Sequence, residues 1–288
     1  MDHLRHGFEI LDDHGPLMPS KHGANGPKLV VAILLMALVA GCQTSALGRR
    51  QFKMMSETEM SQMGASAFTE ISKQTPPSRD ALANAKVNCV ANAITQTLTG
   101  VNAGSTWEVR VFADDTPNAF ALPGGKIGVN TGLLKVARTQ DQLAAVIGHE
   151  ITHVTQGHAN ERVSSEFATQ TALQTLSVLA DASNPLHGQM IGLLGAGVQV
   201  GVLLPYGRAQ EREADLIGLD LMAKAGFDPR ESIALWQNMA KAGGGQPPEF
   251  LSTHPSHGTR MRDLEERMPI AMPLYEDAKA RRRALRCF

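Results

Sequence analysis

No apolar run in this sequence is long enough to cross a bilayer: the unbroken stretch Leu29 to Ala40 has twelve residues, and a spanning helix takes about 20. Neither sign of charge is in excess, with 27 Lys plus Arg against 28 Asp plus Glu, so no bulk field draws the chain to nucleic acid or another polyanion. There is no internal repeat. Aromatic residues are only 5% of the chain, but hydrophobic residues are 43%, which excludes disorder and a multi-span membrane protein and fits one globular domain. Cysteines number three, Cys42, Cys89 and Cys287, too few for a disulfide framework.

What is present begins with a leader. Lys21 and Lys28 precede the apolar run, as in a signal peptide, and Met18 onward already reads as a complete one, so a start-site artefact over residues 1–17 is one expectation. Val39-Ala40-Gly41-Cys42 has the form of a bacterial lipobox, in which the cysteine is lipidated and becomes the new N-terminus; the alternative is a plain signal peptide with an incidental cysteine. Gln43, rather than Asp, follows Cys42, which by analogy with Gram-negative sorting favours the outer membrane, with the domain facing the periplasm. The expected organisation is therefore a signal peptide over 1–41, a lipid tether over 42–56 and one domain over 57–288. In that compartment Cys89 and Cys287 are free to pair. Pairing would tie down a basic tail (Arg281, Arg282, Arg283, Arg286); otherwise both remain thiols.

Along the domain, 57–74 and 80–99 read as helices parted by Thr75-Pro76-Pro77-Ser78. Trp107 to Phe112 alternates as a half-buried strand does, and Asn118 to Leu134 reads as a hairpin around Pro123-Gly124-Gly125. Thr139 with Gln142 suggests a capping box, opening one long helix from about 141 to beyond 160. Further helices are expected over 208–225, 230–242 and 259–267, with Gly243 to Pro248 as a link. The fold class is α+β, helix-dominated, with a small sheet.

The chemistry is concentrated in His149-Glu150-Ile151-Thr152-His153. Histidines four apart share a helix face and can hold one ion, while Leu143, Ile147 and Ile151 bury the other face. Glu150 lies about 100° round from His149, beside the metal, where a general base belongs. A catalytic zinc takes three protein ligands and keeps one position open. The segment Glu211-Arg212-Glu213-Ala214-Asp215 offers the third. Glu211 and Asp215 share a face, so Glu211 reaches the metal and Asp215 accepts the outer N–H of a ligand histidine. Glu213 points elsewhere and has no such companion.

These motifs, with Asn118-Ala119-Phe120-Ala121-Leu122-Pro123-Gly124-Gly125 upstream and Thr253-His254-Pro255 followed by Arg260 downstream, resemble the HtpX-like and CAAX-prenyl-protease-like zinc metallopeptidases, which are gluzincins. The resemblance covers roughly residues 55–268, and the lipobox makes the periplasmic lipoprotein members the nearest likeness. It implies one zinc ion on His149, His153 and Glu211. It also implies a substrate-aligning edge strand over Asn118, Ala119, Phe120 and Ala121, with Pro123 turning the chain close to the substrate. His254 has three readings: a fourth ligand that latches the site, a donor to substrate or transition state, or a structural loop histidine. Arg260 binds an oxyanion or substrate carboxylate, or anchors its loop to an acidic neighbour. Tyr206 is a candidate donor in the cleft. The glycine-rich stretch Gly188 to Leu204 reads as core, with a lid or partner surface as the alternative.

The function expected is an endopeptidase of the bacterial envelope that degrades misfolded or misassembled envelope proteins, anchored to outer-membrane lipid through acylated Cys42. A chaperone-like assembly factor with a rarely used site, working with outer-membrane assembly machinery, and a scaffold with a structural zinc are the alternatives.

Overall fold

The computed structural model describes residues 42–179, 206–242, 249–254, 258–281 and 286–288. The leader, most of the lipobox, Gly188 to Leu204 and the link from 243 lie outside these.

The first described segment, expected as a tether over 42–56, holds a hairpin: β1 (Cys42–Thr44) and β2 (Arg50–Phe52) pair antiparallel. Gln51 is buried and donates to the Gln156 carbonyl at 2.8 Å. Such short polar strands carry almost no periodic signal, so docking rather than local propensity holds them.

Ser56 then caps α1 (Glu57–Gln74) in a reciprocal box with Glu59, and Asp80 caps α2 (Ala81–Thr95) by accepting from the Leu82 and Ala83 amides. Strands β3 (Glu108–Phe112), β4 (Ala119–Leu122) and β5 (Lys126–Asn130) form a sheet in the order β3-β5-β4, with β5 parallel to β3 and antiparallel to β4. Strand β4 is thus an edge. A short α3 (Leu133–Val136) leads to α4 (Gln140–Thr155). Thr139 caps it by accepting from the Gln142 amide at 3.1 Å, but Gln142 Oε1 accepts from the Arg138 amide, so the box is not reciprocal.

The expected long helix is two. It breaks at Gly157, whose φ of +68° lies in the left-handed region that favours glycine, and α5 (His158–Leu179) starts after it. Next come α6 (Arg208–Lys224), α7 (Glu231–Ala242), the short α8 (Glu249–Thr253) and α9 (Arg260–Arg281). Helix α9 runs well past the expected end at 267, through Pro269 and Pro273. A proline inside a helix costs ~3 kcal/mol; burial of Leu264, Ala271 and Ala278 along the same helix offsets it.

One apolar core joins α2 (Val87, Val90, Ile94), the sheet (Val111, Ile127, Val129), α4 (Leu143, Ile147, Ile151) and α6 (Leu219, Met222). A second cluster, Met60, Phe68, Phe112 and Leu122 with Phe120, seats α1 on the edge strand. A disulfide joins Cys89 on α2 to Cys287, across 198 residues of sequence. Among the described residues no helix is long and apolar enough to cross a membrane. The fold is helix-dominated α+β, with the small sheet against α4.

Candidate metal centre and active site

Two glycines bring the motif helices together. A Cβ on Gly148 would lie 2.7 Å from the Gly218 carbonyl oxygen, and one on Gly218 would lie 2.8 Å from the His149 nitrogen. With no side chain at either position, α4 and α6 touch backbone to backbone, one residue from His149. That contact places Glu211 opposite His149 and His153.

Nitrogen and oxygen donors converge there. His153 Nε2 lies 3.0 Å from His149 Nε2 and 3.4 Å from Glu211 Oε1, and His149 Nε2 lies 3.5 Å from Glu211 Oε2. His254, at the end of α8, adds its Nδ1 at 3.0 Å from Glu211 Oε1 and 3.2 Å from His149 Nε2. All four residues are buried, and their ligand atoms lie within 4.8 Å of one another.

Whether a metal fits is decided by what lies behind these donors. His149 Nδ1 is 3.0 Å from Asp215 Oδ1; as the donor there, it leaves the Nε2 lone pair facing inward. Two imidazole lone pairs and a carboxylate pointing at one another inside a protein are untenable without a cation between them. Separations of 3.0–3.5 Å match the ~3.3 Å edge of a tetrahedron with zinc–nitrogen bonds near 2.05 Å. The electrostatics agree. Burial works to lower the His149 pKa, yet Glu211 and Asp215 push it up to about 10: the pocket demands a positive charge. Burial opposes ionisation of Glu211 as well, but His149 and the surrounding ring nitrogens hold its carboxyl far below the usual range. His153, by contrast, is driven down by burial and stays neutral, as a ligand must. The residues fit one zinc ion.

Glu150 stands beside this cluster. Its Oε2 accepts the Ala121 amide of β4 at 3.1 Å, and its Oε1 lies 3.3 Å from His254 Nε2 with no hydrogen bond. Burial pushes its carboxyl up. A cavity of about 340 Å³ opens in front, lined by Asn118, Ala119, Phe120 and Ala121 together with Glu150 and His254. Pro123 is elsewhere: its carbonyl abuts Gly64 of α1, so this turn seats the helix rather than the substrate.

Of the two readings of Arg260, the structure favours the anchor over the oxyanion or substrate donor. Its guanidinium is buried and donates to Asp215 Oδ2 at 2.6 Å and Glu211 Oε2 at 2.7 Å. It anchors its neighbours and does not face the cavity. Tyr206 stacks on the His153 ring with centroids 3.8 Å apart, and it also lines the cavity.

Sequence reasoning missed His158 and misjudged Glu213. His158 Nδ1 lies 2.9 Å from His153 Nδ1, and His158 Nε2 lies 3.0 Å from Glu213 Oε2. Glu213 has a companion after all. The signal was Gly157 and His158, four and five residues after His153, where a glycine can end one helix and start another.

Two inward histidines and a glutamate from a second helix, with another glutamate alongside, define a zinc metallopeptidase site. The chain belongs to peptidase family M48, whose profile matches residues 81–268. It is 44% identical over 167 residues to the mitochondrial metalloendopeptidase OMA1 of Schizosaccharomyces pombe, covering 57% of this chain and 48% of that protein. To OMA1 of Arabidopsis thaliana it is 33% identical over 252 residues, covering 85% and 49%. To the beta-barrel assembly-enhancing protease of Yersinia pestis it is 30% identical over 256 residues, covering 86% and 50%. The chain spans about half the length of these relatives.

Proposed function

We propose that this chain is a zinc-dependent endopeptidase that cuts extended or unfolded protein segments. One observation carries the reading: Glu150 sits between the metal-donor cluster and the edge strand, touching the Ala121 amide on one side and approaching His254 on the other. Antiparallel pairing engages every second residue of β4 with β5, which turns the backbone groups of Ala119 and Ala121 outward. A substrate whose backbone is not already paired can add along that edge. Zinc held by His149, His153 and Glu211 supplies Lewis acidity toward water and a peptide carbonyl. Glu150 takes a proton from the attacking water and returns one to the leaving amine nitrogen. The upward push on its carboxyl suits a group that must both accept and release.

The setting we infer is the bacterial cell envelope, with the chain anchored to outer-membrane lipid through acylated Cys42 and facing the periplasm. There it degrades misfolded or misassembled proteins. The leader and lipobox support this, as does likeness to a protease named for β-barrel assembly, which makes outer-membrane assembly machinery a partner. Relatives named as mitochondrial do not carry their compartment over.

A second reading is favoured by His254, whose Nδ1 stands in the donor set where an open position is needed. The site would then rest latched, and the chain would act mainly as an assembly factor. Zinc content and casein cleavage of wild type, Glu150→Gln and His254→Ala test both readings. Glu150→Gln keeps zinc and loses about 100-fold or more in cleavage, the scale of general-base catalysis; cleavage equal to wild type overturns the enzyme. His254→Ala raises cleavage if the residue is a latch, and a fall with zinc retained rejects that role.

A further inference from the structure

The N-terminal hairpin and the metal cluster are joined by a continuous line of side chains. Arg49, in the turn before β2, donates from Nε and Nη2 to Glu213 Oε2 at 3.1 and 2.9 Å. Glu213 faces His158 Nε2, and His158 Nδ1 faces His153 Nδ1. His158 is fully buried, its ring edge-on to His153 with centroids 4.9 Å apart. Arg49 also grips Glu161 through both Nη atoms, with Nη2 to Oε2 at 2.8 Å.

One arrangement of protons pairs every facing atom along this line. Arg49 neutralises Glu213; Glu213 accepts Nε2–H of His158; the bare Nδ1 of His158 accepts Nδ1–H of His153. The lone pair of His153 Nε2 is then left pointing at His149 and Glu211. The opposite tautomer of His158 would bring an Nε2 lone pair against a carboxylate, both buried, which is repulsive.

We infer that the hairpin completes the metal centre: Arg49, Glu213 and His158 are positioning residues that lock His153 in its ligating tautomer and orientation. Partners behind ligand histidines are a known device for fixing ring and tautomer. Here the device reaches 104 positions back along the chain, from His153 to Arg49. Zinc affinity therefore depends on an arginine that stands outside the donor set.

The inference rests on the zinc-peptidase reading, and the test separates the two. Zinc affinity is measured by chelator competition for wild type, Arg49→Gln, Arg49→Lys, Glu213→Gln and Glu161→Gln. Visible absorption of the cobalt-substituted proteins and thermal unfolding of the metal-free proteins are recorded alongside. Arg49→Gln and Glu213→Gln weaken zinc binding by about tenfold or more, the usual cost of losing such a partner, and shift the cobalt bands. Arg49→Lys restores part of the affinity. Glu161→Gln removes the other carboxylate that Arg49 grips, keeps the Arg49–Glu213 contact, and lowers the unfolding temperature while affinity holds. Wild-type affinity and spectra in folded Arg49→Gln and Glu213→Gln overturn the relay, as does an equal loss of affinity in Glu161→Gln. A wild-type protein that binds no zinc overturns the peptidase reading instead.

Discussion

The two ligand histidines are backed by unlike structures. Behind His149 stand Asp215 and then Arg260, both supplied by the long helices α6 and α9, and Arg260 also grips the ligand Glu211. Behind His153 the line is longer, through His158 and Glu213, and ends at Arg49 on a hairpin of three-residue strands. The terminal arginines differ most. The Arg260 side chain is 3% exposed and Arg49 is 23% exposed. One half of the site is therefore built into the core, whereas the other is closed by a partly exposed arginine on a short hairpin.

The contrast can be broken most forcefully at Arg260. Arg260→Ala leaves Asp215 and Glu211 buried without their cation, which costs about 3–5 kcal/mol. Denaturant unfolding of the metal-free protein reads this, and a loss no larger than that of Arg49→Ala would erase the asymmetry. Arg49→Ala removes charge-assisted hydrogen bonds nearer the surface and costs about 1.5–3 kcal/mol. Gly157→Ala sharpens the comparison by straining the turn that aims His158. Its left-handed φ sets a cost of about 1–2 kcal/mol, and zinc affinity falls with it.

The smallest effect is the acid response of one carboxylate on the His153 side. Burial opposes ionisation of Glu161, yet Arg49 and Gln210 hold its carboxyl below the usual range. A lowered carboxyl stabilises the fold above the unfolded value of 4.5, and that contribution is lost as pH falls through the lower folded value. Stability of the metal-free wild type drops with acid over that window. In Glu161→Gln this part of the slope is flatter, and an unchanged slope would remove Glu161 from the account.

The core-built half was also the half legible in the sequence. Histidines at i and i+4, and Glu211 with Asp215 at the same spacing, are face relations within single helices. Local periodicity reports them directly, as it reports α1, α6 and the β4–β5 hairpin. What escaped is set by contacts remote in sequence. Glu213 does point away from Glu211, as helical geometry requires, but its companion arrives only because Gly157 redirects the chain. Strands β1 and β2 have no apolar alternation to betray them. Helix α9 continues past the expected end at 267 through two prolines, because local proline preferences yield there to packing remote in sequence.

The bond between Cys89 and Cys287 has a consequence for a protein that cuts chains. His149, His153 and Glu211 all lie inside the loop it closes. A break anywhere between the two cysteines, including one made by another copy of the same protein, leaves two fragments that remain a single covalent molecule. Such a nick goes unseen on a non-reducing gel, and the ligand set stays together until a reductant opens the bridge.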